Sequence, residues 1–586
     1  MFNVNTLWQL LHRLNLLNND ILLQIFEELR IAKCLSSFSL VSRWAREAVM
    51  PTLFSVCYQR LQYPAPACDV IPESLWPYVR CVFDAFLRAV AMLMDYRTLH
   101  LKCVCPPLRA FSYSGYDSDP AAPPTDPVVC EAFHRQLIDV AVHRMPRLTE
   151  VMFDNCKYIN VHGLSWQTFQ AMLTIPNLHH FAIHSLRICP TAHDNIEWGD
   201  SRPSTLSSFR YRVRDPTPTK SFLAEERALD TVVRALHTSL ETLALPTEPA
   251  PIQLICSLAW PRLRELRLRG LRWMTPSAPI ISLFACMPHL RTLALQLYEP
   301  EHVDARAVWP RGFSAAYPWP DLEHLQISHP DEDDEIYAHL PPALRGLVLR
   351  SWPHICIQIK NNMRYTPREL RWNFPRTSAS ALLRILRRCR APGLRTLELE
   401  YEVDEPGAEA ELLRHVAASF PRLDMLELHG YRNGDPIVPT VRYRPHFAYI
   451  SFSQCPAHVR TVMLTTIFFY QEEIAQHLAP LVGLGTIKLH LDFPNTPPPA
   501  FSSVDARRYC QEKALHAYDV TLASTATTFA NVLSPALQEI WVLRYASYHG
   551  PIWAVFSVTR GADPEGGAGP LATVQRQRDH FYLGRP

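Results

Sequence analysis

Pro392-Gly-Leu-Arg-Thr-Leu-Glu-Leu-Glu400 is followed 29 residues later by Pro421-Arg-Leu-Asp-Met-Leu-Glu-Leu-His429. In each stretch the last two leucines stand two apart. On an extended strand they point to one side, and the glutamate between them points to the other. The same Pro-x-Leu-x-x-apolar-x-apolar text begins at Pro146, Pro176, Pro261, Pro288, Pro320, Pro342, Pro392, Pro421 and Pro535. Composition alone predicts about one such match, so these nine are repeats. Looser copies lie at Leu206-Ser-Ser-Phe209, Leu240-Glu-Thr-Leu243, Leu370-Arg-Trp372, Val459-Arg-Thr-Val462 and Leu484-Gly-Thr-Ile487.

Between the strands, Ser221–Leu236, Ser378–Cys389, Ala408–Phe420 and Gln471–Leu478 carry apolar residues at helical spacing. Each unit therefore reads as one strand plus one return helix. The proline is expected just after a helix, where its missing N–H is harmless and its ring forces the switch to strand. This accounts for 51 prolines against only 18 glycines. Leu-x-x-Leu-x-Leu resembles the strand half of a leucine-rich repeat. The family's Asn or Cys ladder position is filled only at Cys156, so the likeness is to irregular fungal members. It implies an α/β solenoid over residues 143–558, with a parallel sheet on its concave face.

The N-terminal text is different. Leu17-Asn-Asn-Asp-Ile-Leu-Leu-Gln-Ile-Phe-Glu-Glu-Leu29 places Ile21, Ile25 and Leu29 on one helical stripe, with Leu22 and Phe26 in a row beside it. Cys34 to Phe54 then places Phe38, Val41 and Trp44 on one helical side and stops near Pro51. Short helices this greasy call for a cover. Leu17, Asp20, Ile21, Leu22, Ile25 and Phe26, then Leu40-Val-Ser-Arg-Trp44, resemble an F-box, whose pattern runs Leu-Pro-x-Glu-Leu-Leu-x-x-Ile-Phe and later Leu-Val-Ser-[Lys/Arg]-x-[Trp/Phe]. Asn18 stands at the family's proline. The resemblance implies a helical docking domain over residues 1–60 that binds the Skp-family linker subunit of a cullin–RING ubiquitin ligase. Leu17, Ile21, Leu22, Ile25, Phe26, Leu40, Val41 and Trp44 would make that contact. Residues 61–142 read as a helical and irregular connection with a mobile loop at 112–127, and 559–586 as a C-terminal tail.

Composition narrows the chemistry. With 58 Lys+Arg against 56 Asp+Glu the net charge is +2, which supplies no global field for nucleic acid or anionic lipid. Hydrophobic residues at 48% and charged residues at 19% describe a soluble, packed chain. The 15 scattered cysteines contain no Cys-x-x-Cys and point to a reducing compartment, cytoplasmic or nuclear. No apolar run is long enough to span a membrane. No Gly-x-x-x-x-Gly-Lys, Gly-x-Ser-x-Gly or His-Glu-x-x-His occurs, and no cofactor is implied. His179, His180 and His184 read as surface histidines, and Asp331–Glu335 as a solvated acidic loop. The chain is expected not to be an enzyme.

The outward strand positions are sharper. In chain order they are Arg210, Arg212, Arg267, Arg269, Arg350 and Arg371, then Glu398, Glu400, Glu427 and His429. Stacked strands about 4.8 Å apart would set the arginines in a stripe able to hold carboxylate or phosphate, followed by an acidic end. These residues are the candidate client-binding positions. The expectation is a substrate-recognition adaptor of a ubiquitin ligase holding an unknown client protein. The alternative is a leucine-rich-repeat binding scaffold with a degenerate F-box and no ubiquitin role.

Overall fold

The computed structural model describes residues 19–31, 34–40, 43–53, 56–58, 81–83, 98–103, 128–129, 148–155, 162–184, 186–188, 196–198, 206–212, 223–300, 307–352, 372–373, 377–432, 470–491, 506–546, 550–560, 572–577 and 580–581. They fall into two compact units, Met1–Leu263 and Arg264–Pro586. The division lies inside the stretch read as a single repeat array. Each unit is α/β with a mostly parallel sheet.

The first unit opens with helices α1 (Asn19–Ile31), α2 (Leu35–Ser39) and α3 (Arg43–Leu53). Leu22, Phe26 and Val49 form their common core, with Ile25, Leu29, Phe38, Trp44 and Ala48 packed around it. Strands β1 (Val56–Tyr58), β2 (Cys81–Phe83) and β3 (Thr98–Cys103) follow, with β4 (Val128–Val129) starting a small second sheet. Then come β5 (Glu150–Asn155), β6 (His162–Leu164), α4 (Trp166–Leu173), β7 (His180–His184), β8 (Arg187–Ile188), β9 (Ser208–Arg212), α5 (Leu223–Leu236), β10 (Thr242–Pro246) and α6 (Ile252–Ser257). The main sheet runs β1-β2-β3-β5-β7-β9-β10, parallel throughout.

In the second unit, β11 (Glu265–Leu271), α7 (Ile280–Leu283), β12 (Thr292–Pro300), β13 (His324–Ile327) and β14 (Gly346–Leu349) come first. They are followed by β15 (Trp372–Asn373), α8 (Ala379–Arg388), β16 (Thr396–Val403), α9 (Ala408–Ser419), β17 (Met425–Arg432) and β18 (Thr486–Leu491). The unit ends with α10 (Ala506–Val532), β19 (Glu539–Ala546), β20 (Gly550–Arg560), β21 (Ala572–Arg576) and β22 (His580–Phe581). Strands β11-β12-β13-β14-β16-β17-β18-β19 pair parallel in that order. Strand β20 then turns the sheet antiparallel and carries β21 and β22, so residues 572–576, read as tail, are strand. The loose copy at Leu370–Trp372 is also corrected. Trp372–Asn373 pairs antiparallel with the end of β12 and is no repeat strand.

The repeat leucines form the core. Leu293 and Leu295, Leu347 and Leu349, Leu397 and Leu399, and Leu426 and Leu428 sit in matching register, each 2% exposed or less. Each such side chain contributes about 1.5–3 kcal/mol on burial. Where the return segments are helices they begin close to expectation, and Ser378 caps α8 by accepting the Ala381 N–H.

Proline has a more specific job than ending helices. In seven repeats the first leucine's N–H donates to the carbonyl of the residue before the proline: Leu178 to Ile175, Leu290 to Met287, Leu322 to Trp319, Leu344 to Pro341, Leu394 to Ala391, Leu423 to Phe420 and Leu537 to Ser534. Proline is thus the second residue of a hydrogen-bonded turn, where its fixed φ favours the bend and its missing N–H is not wanted. One residue further on, a single carbonyl accepts two N–H groups from the next repeat. Arg264 O receives Arg291 and Thr292, and Arg291 O, Glu323 O, Arg345 O, Arg395 O, Asp424 O and Gly485 O repeat the pattern at 2.7–3.2 Å. Turn and carbonyl together fix how each strand enters the sheet.

Candidate binding face

The outward positions of the second unit split into two halves. In the acidic half, Glu398 of β16 and Glu427 of β17 are paired directly in register. Two carboxylates placed so would repel. Arg350, just past β14, removes the conflict: its Nη1 donates to Glu398 Oε2 at 2.7 Å and to Glu427 Oε1 at 2.6 Å. Lys488, opposite Glu427 on β18, brings its Nζ within 3.4 Å of Glu427 Oε2 and lies 5.0 Å from the centre of the Trp541 ring. His429 Nε2 is 2.8 Å from Glu427 Oε1. Glu400 accepts the Ser351 N–H at 2.8 Å and the Tyr431 hydroxyl at 3.2 Å.

This half is interior. Arg350 is 8% exposed, Glu400 1%, Glu427 4% and His429 0%. Burial raises the Glu398 pKa, and Glu427 beside it adds to the rise while Arg350 opposes it. Burial also drives His490 down to about 4, so it is neutral among these charges. The side-chain network of Arg350, Glu398, Glu427, Lys488 and His429 spans four strands of the sheet. It has the form of a buried ion cluster that fixes strand order.

The basic half is open. The Arg267 side chain is 42% exposed and donates from Nε to Glu265 of its own strand at 2.5 Å. Arg269 lies over the Trp352 ring, 4.1 Å from guanidinium carbon to ring centre, a cation–π stack. His324 of β13 packs against Gly346 of β14, where an added Cβ would stand 2.4 Å from His324 Nδ1. Desolvation lowers the His324 pKa, with Arg267 and Arg345 pushing the same way.

The structure therefore sorts the sequence-derived candidates. Arg267 and Arg269 lie on the open half, and Glu398 sits at the edge of the cluster with its side chain 20% exposed. Arg350, Glu400 and Glu427 are buried and committed to partners inside the chain, which corrects their reading as client-facing residues. Arg210 and Arg212, both half-buried, lie on β9 of the first unit. Arg371 lies outside the described residues.

Among the helix positions, Leu22 and Phe26 are interior at 8% and 2%, so their reading as contact residues is corrected too. Ile21 is 46% exposed and Leu40 75%. Ile25 and Trp44 are half-buried against the helix core, while Leu17 and Val41 lie outside the described residues.

Sequence reading missed a second buried feature. Tyr211 on β9 donates to Glu225 in the first turn of α5, and Arg187 Nη1 meets the other carboxylate oxygen at 3.1 Å. In the second unit Tyr401 on β16 donates to Glu409 in the first turn of α9 at 2.8 Å, and Tyr470 donates to its other oxygen at 2.8 Å. A tyrosine on the inward side of a strand, followed by a glutamate opening the return helix, was the available signal. The acidic loop differs in the same way. Asp334 is buried, accepting N–H groups from Val308, Trp309 and Ile336, and desolvation lifts its pKa to about 6.

Among the described residues no group of three or more His, Cys, Asp or Glu side chains could hold a metal ion, and no helix is long and apolar enough to cross a membrane. Compared with protein-family models and with curated proteins, the chain matches none.

Proposed function

We propose that the chain is a client-binding adaptor of a cullin–RING ubiquitin ligase, with its N-terminal helices docking on the Skp-family linker and its leucine-repeat strands receiving a client protein. The observation that carries this reading is the exposure of Ile21 on α1 and of Leu40 just past α2, while the apolar residues Leu22 and Phe26 fill the helices' own core. Large apolar side chains held out on a folded helical cluster are anchors for a partner. In this reading the repeats form a leucine-rich-repeat-like solenoid, and the chain supplies no nucleophile. Tethering the client beside a charged ubiquitin carrier raises its effective concentration there.

The test is capture of a purified Skp-family linker by the full chain. Ile21→Asp with Leu40→Asp should abolish capture while leaving the melting curve in place, because both side chains already face water. Failure of the unaltered chain to hold the linker would leave the scaffold reading in its stead.

A further inference from the structure

Lysine is one of the commonest residues in folded proteins, yet this chain has 7 lysines beside 51 arginines. Residues 221–487 hold 27 arginines and a single lysine, Lys360. Among the described side chains every exposed cation is an arginine. Lys488 is half-buried, with its Nζ 3.4 Å from Glu427 Oε2 and 5.0 Å from the centre of the Trp541 ring.

Local physics does not ask for this choice. The two residues have nearly equal helix propensity, so Arg227 on α5, Arg387 on α8 and Arg414 on α9 could each be lysine at little cost. Arginine is needed where the whole guanidinium fork is used, as when Arg234 grips Asp230 through Nε and Nη2. Other exposed pairs leave the fork idle. Arg43 meets Glu47 through Nε alone, Arg387 meets Glu411 through Nη2 alone, and Arg395 meets Asp424 through Nη1 alone. One ammonium group would serve each of these pairs, which contribute little to stability in either form.

The two cations do differ in one reaction. A deprotonated lysine amine attacks the thioester carbonyl of a charged ubiquitin carrier. The C–N bond forms, the C–S bond breaks, the carrier's cysteine leaves as thiolate, and the amine gives up a proton to solvent. A guanidinium stays protonated and delocalised, and does not attack. An adaptor is held beside that carrier at an effective concentration of roughly millimolar, so each exposed lysine on it competes with those of the client. We infer that the repeat surface is kept clear of lysine so that the adaptor is not itself a substrate of the ligase it serves. Arginine supplies the surface charge and the pairing, and the client supplies the acceptor amine.

The inference rests on the adaptor reading, and its test needs no client. The full chain is assembled with purified Skp-family linker, cullin and RING subunits, then supplied with ubiquitin, its activating and conjugating enzymes and ATP. Ubiquitin on the chain itself is followed by gel, and the acceptor residues are mapped by mass spectrometry. The comparison is one variant carrying Arg227→Lys, Arg311→Lys, Arg387→Lys, Arg390→Lys, Arg414→Lys and Arg422→Lys, all at exposed positions. It keeps every charge and should keep the melting curve. The unaltered chain should gain ubiquitin at least about threefold more slowly than the variant, whose added ubiquitin should sit on the new lysines. Equal rates in the two assembled complexes, or ubiquitin only at the lysines both chains share, would overturn the inference and leave the adaptor reading standing. A chain that does not hold the linker overturns both.

Discussion

Arg267 and Arg350 hold outward positions in one sheet, three strands apart, and they have opposite fates. Arg267 is part-exposed and bonded to a glutamate two residues away on its own strand. Arg350 is buried and bonded to glutamates 48 and 77 residues away. The difference teaches that outward on a strand does not mean open to solvent. Where a carboxylate faces a carboxylate across neighbouring strands, the fold consumes an arginine to hold them. Where the neighbours are Ala294, Gln296 and Gln326, the arginine stays at the surface.

The largest effect should separate these two residues. Arg350→Met leaves Glu398 and Glu427 side by side, with Lys488 and His429 still beside Glu427, and removing one partner of a buried ion cluster costs about 3–5 kcal/mol. Arg267→Met removes a surface pair worth about 0–1 kcal/mol. Guanidinium unfolding of the two variants would show the gap. Similar midpoints would mean that the acidic half is solvated after all. Adding Glu427→Gln to Arg350→Met should recover part of the loss, because the repulsion goes with it.

The next effect is a pH dependence set by His490 in the acidic half. His490 is held neutral with its pKa lowered to about 4, whereas in the unfolded chain it titrates near its ordinary value. Between those values the unfolded chain binds a proton that the folded chain does not. The stability this histidine contributes is therefore present above about 6.5 and lost as pH falls toward 4, about 3 kcal/mol in all. Asp334 acts with the opposite sign in part of the same window. Its raised pKa of about 6 makes the folded chain the better proton binder, so its share of stability falls as pH rises from its ordinary value to 6. The two cancel in the native protein and separate in His490→Gln, which should grow more stable relative to wild type as pH is lowered. A constant difference between the two from pH 7 to pH 4.5 would contradict a buried neutral His490.

Much of this architecture is legible in the text of the chain. The columns Leu397–Leu399 and Leu426–Leu428 follow from two leucines two apart, because strand geometry leaves them one side to face. Lys488 was within reach as well, since the loose copy ending at Ile487 puts it in the column of Glu398 and Glu427. Burial was not legible. Periodicity assigns a face, but whether that face meets water depends on what distant parts of the chain lay against it. Glu400 and His429 became interior for that reason. The same limit hid Asp334, whose three backbone donors come from residues 308, 309 and 336. At the N-terminus helical spacing found the right apolar residues, but it could not divide a core of Leu22 and Phe26 from the exposed pair Ile21 and Leu40.

The smallest effect probes the open half alone. At Gly346 a methyl group would fall 2.4 Å from His324 Nδ1, a contact no real side chain sustains, so Gly346→Ala must displace the ring. In a sealed core that displacement would cost 1–3 kcal/mol or so. His324 is exposed, and its ring can swing outward into water, while alanine stiffens the unfolded chain in partial compensation. Stability should change by no more than about 0.5 kcal/mol in either direction. The readout is the histidine itself: desolvation is the main reason its pKa is low, so a ring driven into water should titrate closer to the ordinary value by NMR. A loss of several kcal/mol with no change in the His324 titration would place this ring in a sealed interior, and the contrast between the two halves of the sheet would be gone.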